Sequence, residues 1–270
     1  MRLRPYVMIS PMKTILCFGD SNTWGALPGT EGSRAPLADR WPSVMARQLN
    51  VQNAGAGKAG PGRDGFREGA AEVAGGYHVI AEGLNGRTTV YDDPMSPGRS
   101  GIAALPMLLD THAPIDLVII MLGTNDTKNF FQVSAEQIAR GMEVLVRAVA
   151  ASDAGPVGGE AAEVVGTGTG GVAVRWPPVG PVPRLLIVAP TPIGALDDRM
   201  RPHFAPEHRA QEVSRELAAA YRAVAAATGA AFFDAGTVVS VGSDGVHLDI
   251  AGQRVLGNAL AEQVRAILED

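Results

Sequence analysis

The sequence predicts an α/β chain organised on a doubly wound parallel sheet. Three observations carry that expectation. Five short apolar runs recur along the chain, they are continuous and not alternating, and amphipathic helical segments separate them. Parallel strands covered on both faces read as continuous apolar runs, and strands alternating with helices build a sheet with right-handed crossovers. Polar turn residues also gather where these runs end, and ligands of open α/β sheets bind at the carboxyl ends of the strands.

The expected strands are residues 14–19, 78–83, 116–122, 184–190 and 230–234. After the first, a helix over 40–50 carries Val44, Leu49 and a methionine on one face, with Pro42 acceptable in its first turn. His112 closes a helix ahead of the third strand, where a cation suits the helix dipole, and His78 begins the second strand, away from the carboxyl ends. Ser134 opens the next helix as its N-cap. Gln137 stands at the capping-box position, and Ile138, Met142, Leu145 and Val149 form the apolar stripe. Alanine-rich amphipathic stretches follow over 206–228 and 250–268.

Two glycine-rich segments, 51–76 and 152–183, break the pattern, although 67–74 has the makings of a short helix. Both follow a helix and precede a strand, so both should emerge at the amino ends of the strands, opposite the chemistry. Neither is expected to cover the site of its own subunit. Neither is a phosphate loop, because no Gly-Lys-Ser/Thr follows and no Gly-x-Gly-x-x-Gly opens a helix after a strand.

The 270 residues fit a single domain over 12–270 with these two insertions, and residues 1–11 are expected to be a disordered extension with Met12 as the native start. Net charge of −5 gives no basic footprint, so nucleic acid is not an expected partner. The one cysteine, Cys17, lies inside the first strand and reads as a buried thiol; it excludes a disulfide framework and a multi-cysteine zinc site. No run reaches the roughly 18–20 apolar residues of a membrane span. The first ten residues imitate a signal peptide only in part, since Pro11 and Lys13 interrupt the apolar stretch, and a cytoplasmic protein is expected.

Chemistry gathers at the strand ends. The first strand is followed by Asp20-Ser21, the second by Asn85-Gly86 and the third by Asn125-Asp126; beyond the fifth comes Asp244-x-x-His247. Acyl transfer needs these parts. A serine is a weak nucleophile without an adjacent base, for which His247 is the candidate. An imidazole needs a partner that sets its tautomer, and Asp244 lies one turn away. The tetrahedral intermediate needs donors, which the Ser21 and Gly86 N–H groups and the Asn125 amide can supply. Each residue also has a plain structural reading. Ser21 can be a loop residue or helix N-cap, Asn125 a cap, and the Asn-Gly and Asp-x-x-His stretches surface turns. Asp126 is the alternative to Asp244 as the acid, and Trp24 either walls a pocket or packs in the core. His203 and His208, after the fourth strand, stand near a pocket mouth or in solvent. No histidine pair has metal-ligand spacing with a carboxylate in reach, so no metal is expected.

These residues resemble the blocks of SGNH hydrolases of the GDSL esterase superfamily: Gly19-Asp20-Ser21, then Gly86, then Gly123-Thr124-Asn125-Asp126, then Asp244-x-x-His247. Longer stretches, among them Arg87-Thr88-Thr89, Asp92-Asp93-Pro94, the run from Leu117 to Lys128 and Phe232-Phe233-Asp234-Ala235-Gly236, are similar to bacterial aryl esterases with acyltransferase and perhydrolase activity. The resemblance implies a flavodoxin-like three-layer sandwich with strand order 2-1-3-4-5. It further implies Ser21 as nucleophile, His247 as base, Asp244 as its orienting acid, no metal or cofactor, and a homo-oligomer. One departure is local: Asn22 stands where the superfamily's name pattern has leucine.

The expected reaction is the cleavage of a small or aryl ester through an acyl-enzyme, resolved by water, an alcohol or hydrogen peroxide. Residues 26–39, 88–101 and 191–206 should wall the pocket, and their prolines suit a fixed site for a short acyl group. The rival readings are a carbohydrate O-deacetylase using the same triad and a non-catalytic binding protein that keeps the fold.

Overall fold

The computed structural model describes residues 12–29, 32–51, 76–156, 165–167, 173–175 and 181–269. The expected extension at 1–11, the short helix at 67–74 and most of the two glycine-rich segments lie outside the described residues.

Five strands form one parallel sheet: β1 (Lys13–Gly19), β2 (Tyr77–Gly83), β3 (Leu117–Met121), β6 (Arg184–Ala189) and β7 (Ala231–Asp234). Their spatial order is β2-β1-β3-β6-β7, the 2-1-3-4-5 arrangement of the sequence expectation. A separate antiparallel hairpin, β4 (Val165–Thr167) with β5 (Ala173–Arg175), stands in the tract expected to be unpatterned. Gly19 pairs with Gly83 on one side and with Met121 on the other, so the three strands that precede the site end level with one another.

The strand pleat divides the core in two. Leu16, Phe18, Val118, Ile120 and Ile187 face one side of the sheet, against α3 (Gly101–His112), α4 (Ala135–Ala150) and α6 (Glu207–Thr228). Ile15, Cys17, Ile119, Leu186 and Val188 face the other, against α2 (Trp41–Val51) and α7 (Ile250–Glu269). Alternate residues of one strand must point to opposite faces, so continuous apolar runs are what a sheet covered twice requires. The central strand β3 is buried throughout. The edge strands β2 and β7 are not: their residues are half-buried or exposed, because each has a strand neighbour on one side only.

Local signals set the helix ends. Ser134 caps α4 and forms the capping box with Gln137: the Gln137 N–H donates to Ser134 Oγ at 3.3 Å and the Ser134 N–H to Gln137 Oε1 at 2.8 Å. Two short helices, α1 (Ser21–Trp24) and α5 (Arg201–Phe204), have no periodic signature in the sequence. The helix α1 is the one that delivers Ser21. It folds back tightly on the strand ends: a Cβ on Gly19 would lie 2.0 Å from Thr23 Oγ1, and one on Gly83 would lie 2.2 Å from the Trp24 nitrogen. Only glycine permits that approach. The described flanks of the second insertion lie at the opposite side, where the Ile115 N–H donates to the Ala154 carbonyl ahead of β3.

Candidate active site

Ser21 is the first residue of α1, and Asp20 is its N-cap, accepting from the Asn22 N–H at 2.9 Å. The capping role open to Ser21 in the sequence is therefore taken by its neighbour, and the Ser21 hydroxyl is directed elsewhere. Its Oγ stands 3.0 Å from His247 Nε2, across 226 positions of sequence. His247 Nδ1 stands 2.7 Å from Asp244 Oδ2. With Nδ1 donating to the carboxylate, Nε2 is the acceptor for the serine hydroxyl.

Asp244 is fully buried, and its other oxygen, Oδ1, accepts from the Val246 and His247 N–H groups at 2.9 and 2.8 Å. Burial raises its pKa, but the hydrogen bonds from the His247 ring and from the two N–H groups outweigh burial and hold the carboxyl below its ordinary range. The Asp244–His247 turn is thus a closed local unit that keeps the carboxylate ionised.

Asn22 fixes this unit against α1. Its Nδ2 donates to the Val246 carbonyl at 3.2 Å and its Oδ1 accepts from the Leu248 N–H at 2.9 Å, so one side chain grips the residues on both sides of His247. Gln253, fully buried on α7, donates to the Asn22 carbonyl and accepts from the Trp41 N–H, each at 2.9 Å.

The expected donors lie on the loops after β2 and β3. Residues 84–87 form a turn closed by the Arg87 N–H on the Leu84 carbonyl at 3.1 Å, with Gly86 at φ 82°. Such a left-handed position in a turn favours glycine. The Asn125 amide donates to the Arg87 carbonyl at 3.1 Å and, at a longer 3.4 Å, to Asp20 Oδ2. Asp126 does not approach His247. It accepts from the Thr89 N–H at 3.0 and 3.1 Å and from the Thr89 hydroxyl, tying the two loops together. The geometry therefore favours Asp244 over Asp126 as the partner of the imidazole.

Three charges are buried beneath these loops. Burial pushes the Asp20 carboxyl up to about 6, against the opposing effects of the Asn22 N–H and the His247 and Arg87 charges. Burial likewise pushes Asp126 up to about 6 in spite of its bonds from Thr89. The Arg87 guanidinium lies 4.2 Å over the Phe18 ring and donates to the Gly19 carbonyl at 2.9 Å and to the Glu82 carbonyl. Burial lowers its pKa to about 10, which leaves it charged at neutral pH.

Ser21, Trp24, Asn85, Gly86, Asn125 and His247 all line one cavity of about 680 Å³. The three expected wall segments also line it, through Ala26 and Leu27, through Ser96 and Arg99, and through Arg199, Met200, His203 and Phe204, and Lys128 and Val246 join them from outside those segments. Trp24 is half-buried with Arg34 stacked 4.5 Å over its ring, so it is a wall residue and not a core residue. His203 is exposed at the rim; His208 and His78 are exposed and do not line the cavity, and His112 pairs with Glu82 at 2.9 Å. Among the described residues, no group of three or more His, Cys, Asp or Glu is arranged to hold a metal ion, and no helix is long and apolar enough to cross a membrane.

Sequence reasoning did not find the roles of Asn22, Gln253 and Arg87. Gln253 carried a signal: it shares the spacing of the buried stripe Leu256, Leu260 and Val264, where a polar side chain must have partners.

No curated protein sequence matches the chain. Among solved structures, the inhibitor-bound aryl esterase of M. smegmatis is 38% identical, with a TM-score of 0.74 over 95% of this chain and 100% of that one. A carbohydrate acetylesterase from Sinorhizobium meliloti is 36% identical, with a TM-score of 0.72 over 94% of this chain and 99% of that one. A member of the lipolytic G-D-S-L family from Veillonella parvula shares the fold at 15% identity and a TM-score of 0.55, covering 94% of this chain and 98% of that one. The profile of the GDSL-like lipase/acylhydrolase family matches residues 17–255, from the strand that delivers Ser21 into the helix that follows His247, and the chain belongs to that family of esterases and acylhydrolases.

Proposed function

We propose that the protein cleaves small or aryl carboxylic esters through an acyl-enzyme formed on Ser21. The observation that carries this reading is the continuous chain of contacts from Ser21 Oγ to His247 to buried Asp244, opening on a cavity walled by three loops. Ser21 attacks the ester carbonyl as His247 takes its proton at Nε2. Asp244 stabilises the imidazolium, which then protonates the departing alkoxide. The oxyanion is received by the Ser21 and Gly86 N–H groups and by the Asn125 amide. The amide hydrogen that now makes the long 3.4 Å contact with Asp20 is the one that turns to the substrate, while the bond to the Arg87 carbonyl keeps the amide in place. Water activated by His247 releases the acid. An alcohol or hydrogen peroxide in its place gives a new ester or a peracid, which is the acyltransferase and perhydrolase extension of the same site.

Covalent labelling by a fluorophosphonate tests the reading. The wild type should label at Ser21 and hydrolyse phenyl acetate, and Ser21→Ala should do neither; hydrolysis that survives the substitution refutes it. A second reading, carbohydrate O-deacetylation, is favoured by the similarity to the Sinorhizobium acetylesterase and by a cavity with room for more than an acetyl group. Rates on acetylated xylan against phenyl acetate separate the two.

A further inference from the structure

The charge around the cavity is one-sided. Arg99, Lys128 and Arg199 line it, and among the described lining residues there is no aspartate or glutamate. In a chain of net charge −5 this is a local reversal of sign. Two of these cations are partnered. Lys128 Nζ stands 2.7 Å from the buried Asp93 carboxylate, and Arg199 Nε lies 3.5 Å from Asp197. Arg99 differs: among the described residues no carboxylate lies within ion-pair distance, and its side chain makes one long bond, Nη1 to the Pro97 carbonyl at 3.4 Å. It is nevertheless half-buried.

The position of Arg99 relative to the chemistry is defined. A Cβ placed on Gly86 would lie 3.5 Å from Arg99 Cδ and Nε and 3.7 Å from Lys128 Nζ. Both cations therefore flank the turn that presents the Gly86 N–H. Buried Arg87 follows directly in the chain, and its charge and that of Arg99 oppose each other. Cations crowded at a cavity wall, one of them without a carboxylate, match an anionic ligand group, and the planar guanidinium fork matches a carboxylate in particular.

We propose that the ester cleaved at this site carries a carboxylate, in its acyl or its alcohol part, which Arg99 binds with Lys128 beside it. The proposal rests on the ester hydrolase reading of the same site and names its substrate class. Arg99 is the residue that sets the preference, because of the three lining cations it is the one with no carboxylate partner among the described residues.

Two substrate pairs of similar shape test it. For the alcohol side, kcat/KM is compared between 4-acetoxybenzoate and methyl 4-acetoxybenzoate. For the acyl side, mono(4-nitrophenyl) glutarate is compared with 4-nitrophenyl valerate. The anionic member of one pair should be preferred about tenfold at low salt and less at high salt, and Arg99→Gln should remove most of that ratio while Arg99→Lys keeps part of it. The proposal is overturned if the neutral member is at least as good in both pairs, or if Arg99→Gln lowers both members equally. Calorimetry on Ser21→Ala gives a readout free of turnover: 4-acetoxybenzoate or monomethyl glutarate should bind about tenfold more tightly than the corresponding methyl ester. Equal binding there refutes the carboxylate site. Absent fluorophosphonate labelling of the wild type refutes the hydrolase reading instead.

Discussion

Replacing Asn22 with leucine isolates the contribution of one side chain that spans the whole chain. The Asn22 amide reaches the carbonyl of Val246 and the N–H of Leu248, on either side of His247, and the residue is 6% exposed. Leucine is close to asparagine in size, so Asn22→Leu opens no cavity; what it does is leave one buried carbonyl and one buried N–H without partners. An orphaned buried polar group costs about 1–3 kcal/mol, so for the two groups the expected loss of stability is about 2–6 kcal/mol, a large share of an ordinary folding free energy. The backbone contacts of Asn22 with Asp20 and Gln253 are untouched, which keeps α1 in place. Apart from its ring contact with Ser21 Oγ, His247 is then positioned by bonds within its own loop, from Asp244 and from the Gly242 N–H, which donates to the His247 carbonyl at 2.7 Å. A displacement of about 1 Å in a catalytic group can cost on the order of 10² in rate. Turnover of 4-nitrophenyl acetate should fall about 10- to 100-fold with KM little changed, and the urea unfolding midpoint should drop. Asn22→Asp, which still accepts from Leu248 but opposes the Val246 carbonyl, should lie between. An Asn22→Leu protein with parental kcat and an unfolding free energy within about 0.5 kcal/mol of the parent would refute the clamp.

Three further expectations follow from the same geometry. Asp244→Asn keeps the shape of the turn but no longer enforces the His247 tautomer, so kcat should fall on the order of 10³–10⁴-fold; a loss under tenfold would return the acid role to an open question. Asn125→Ala removes one donor of the proposed oxyanion site and should lower kcat about 10²–10³-fold with a smaller change in KM, which steady-state kinetics on phenyl acetate will show. Asp20 and Asp126 have carboxyls raised by burial to about 6 from 3.8, so the folded protein binds protons in that interval that the unfolded chain does not. Unfolding free energy should therefore rise as pH falls from 7, by about 1 kcal/mol per carboxyl at pH 5 and by roughly 3 kcal/mol per carboxyl below pH 4. Asp244, held low, acts oppositely, and only as pH falls below 3.8. Urea unfolding at pH 7 and pH 5 should show a larger gain for the wild type than for Asp126→Asn; a smaller gain refutes the assignment.

What was legible in the chain depended on how local its signal was. The three inner strands of the sheet are visible because burial on two faces forces unbroken apolar runs, and β3, buried throughout, is the clearest of them. The α4 cap is visible because Ser134 and Gln137 are three residues apart. Ser21 and His247 could be paired only by placing both at strand ends, since 226 positions separate them. The grip of Asn22 on the His247 loop was not legible: it showed only as an unusual neighbour of Ser21, and nothing near it in sequence names Val246 or Leu248. The β4–β5 hairpin was missed for the opposite reason, because its strands are three residues each and lie among glycines. The sequence likewise shows Arg87 and Arg99 as two arginines of a loop. That one lies under the donor turn and the other beside it is a product of the turn at Gly86.

Buried charges tie the loops after β1, β2 and β3 to one another. Arg87 joins the ends of β1 and β2 through the Gly19 and Glu82 carbonyls, Asp126 joins the β3 loop to Thr89, and Asp20 stands behind the Asn125 amide. Each of the three loops that bring Ser21, Gly86 and Asn125 together is thus held by an ionised group. Such groups hold direction as well as distance, which is what donors aimed at a developing oxyanion require before substrate arrives. They also carry a desolvation cost, seen in the raised carboxyls of Asp20 and Asp126 and the lowered Arg87. Near neutral pH the protein accordingly holds its site at the expense of its stability, and protonating the two carboxyls relieves that cost. Replacing Asp20 with asparagine should therefore give a protein more stable at pH 7, read by urea unfolding, in which the Arg87 carbonyl still holds the Asn125 amide and kcat changes little; a less stable Asp20→Asn protein would refute the cost assigned to the buried carboxylate.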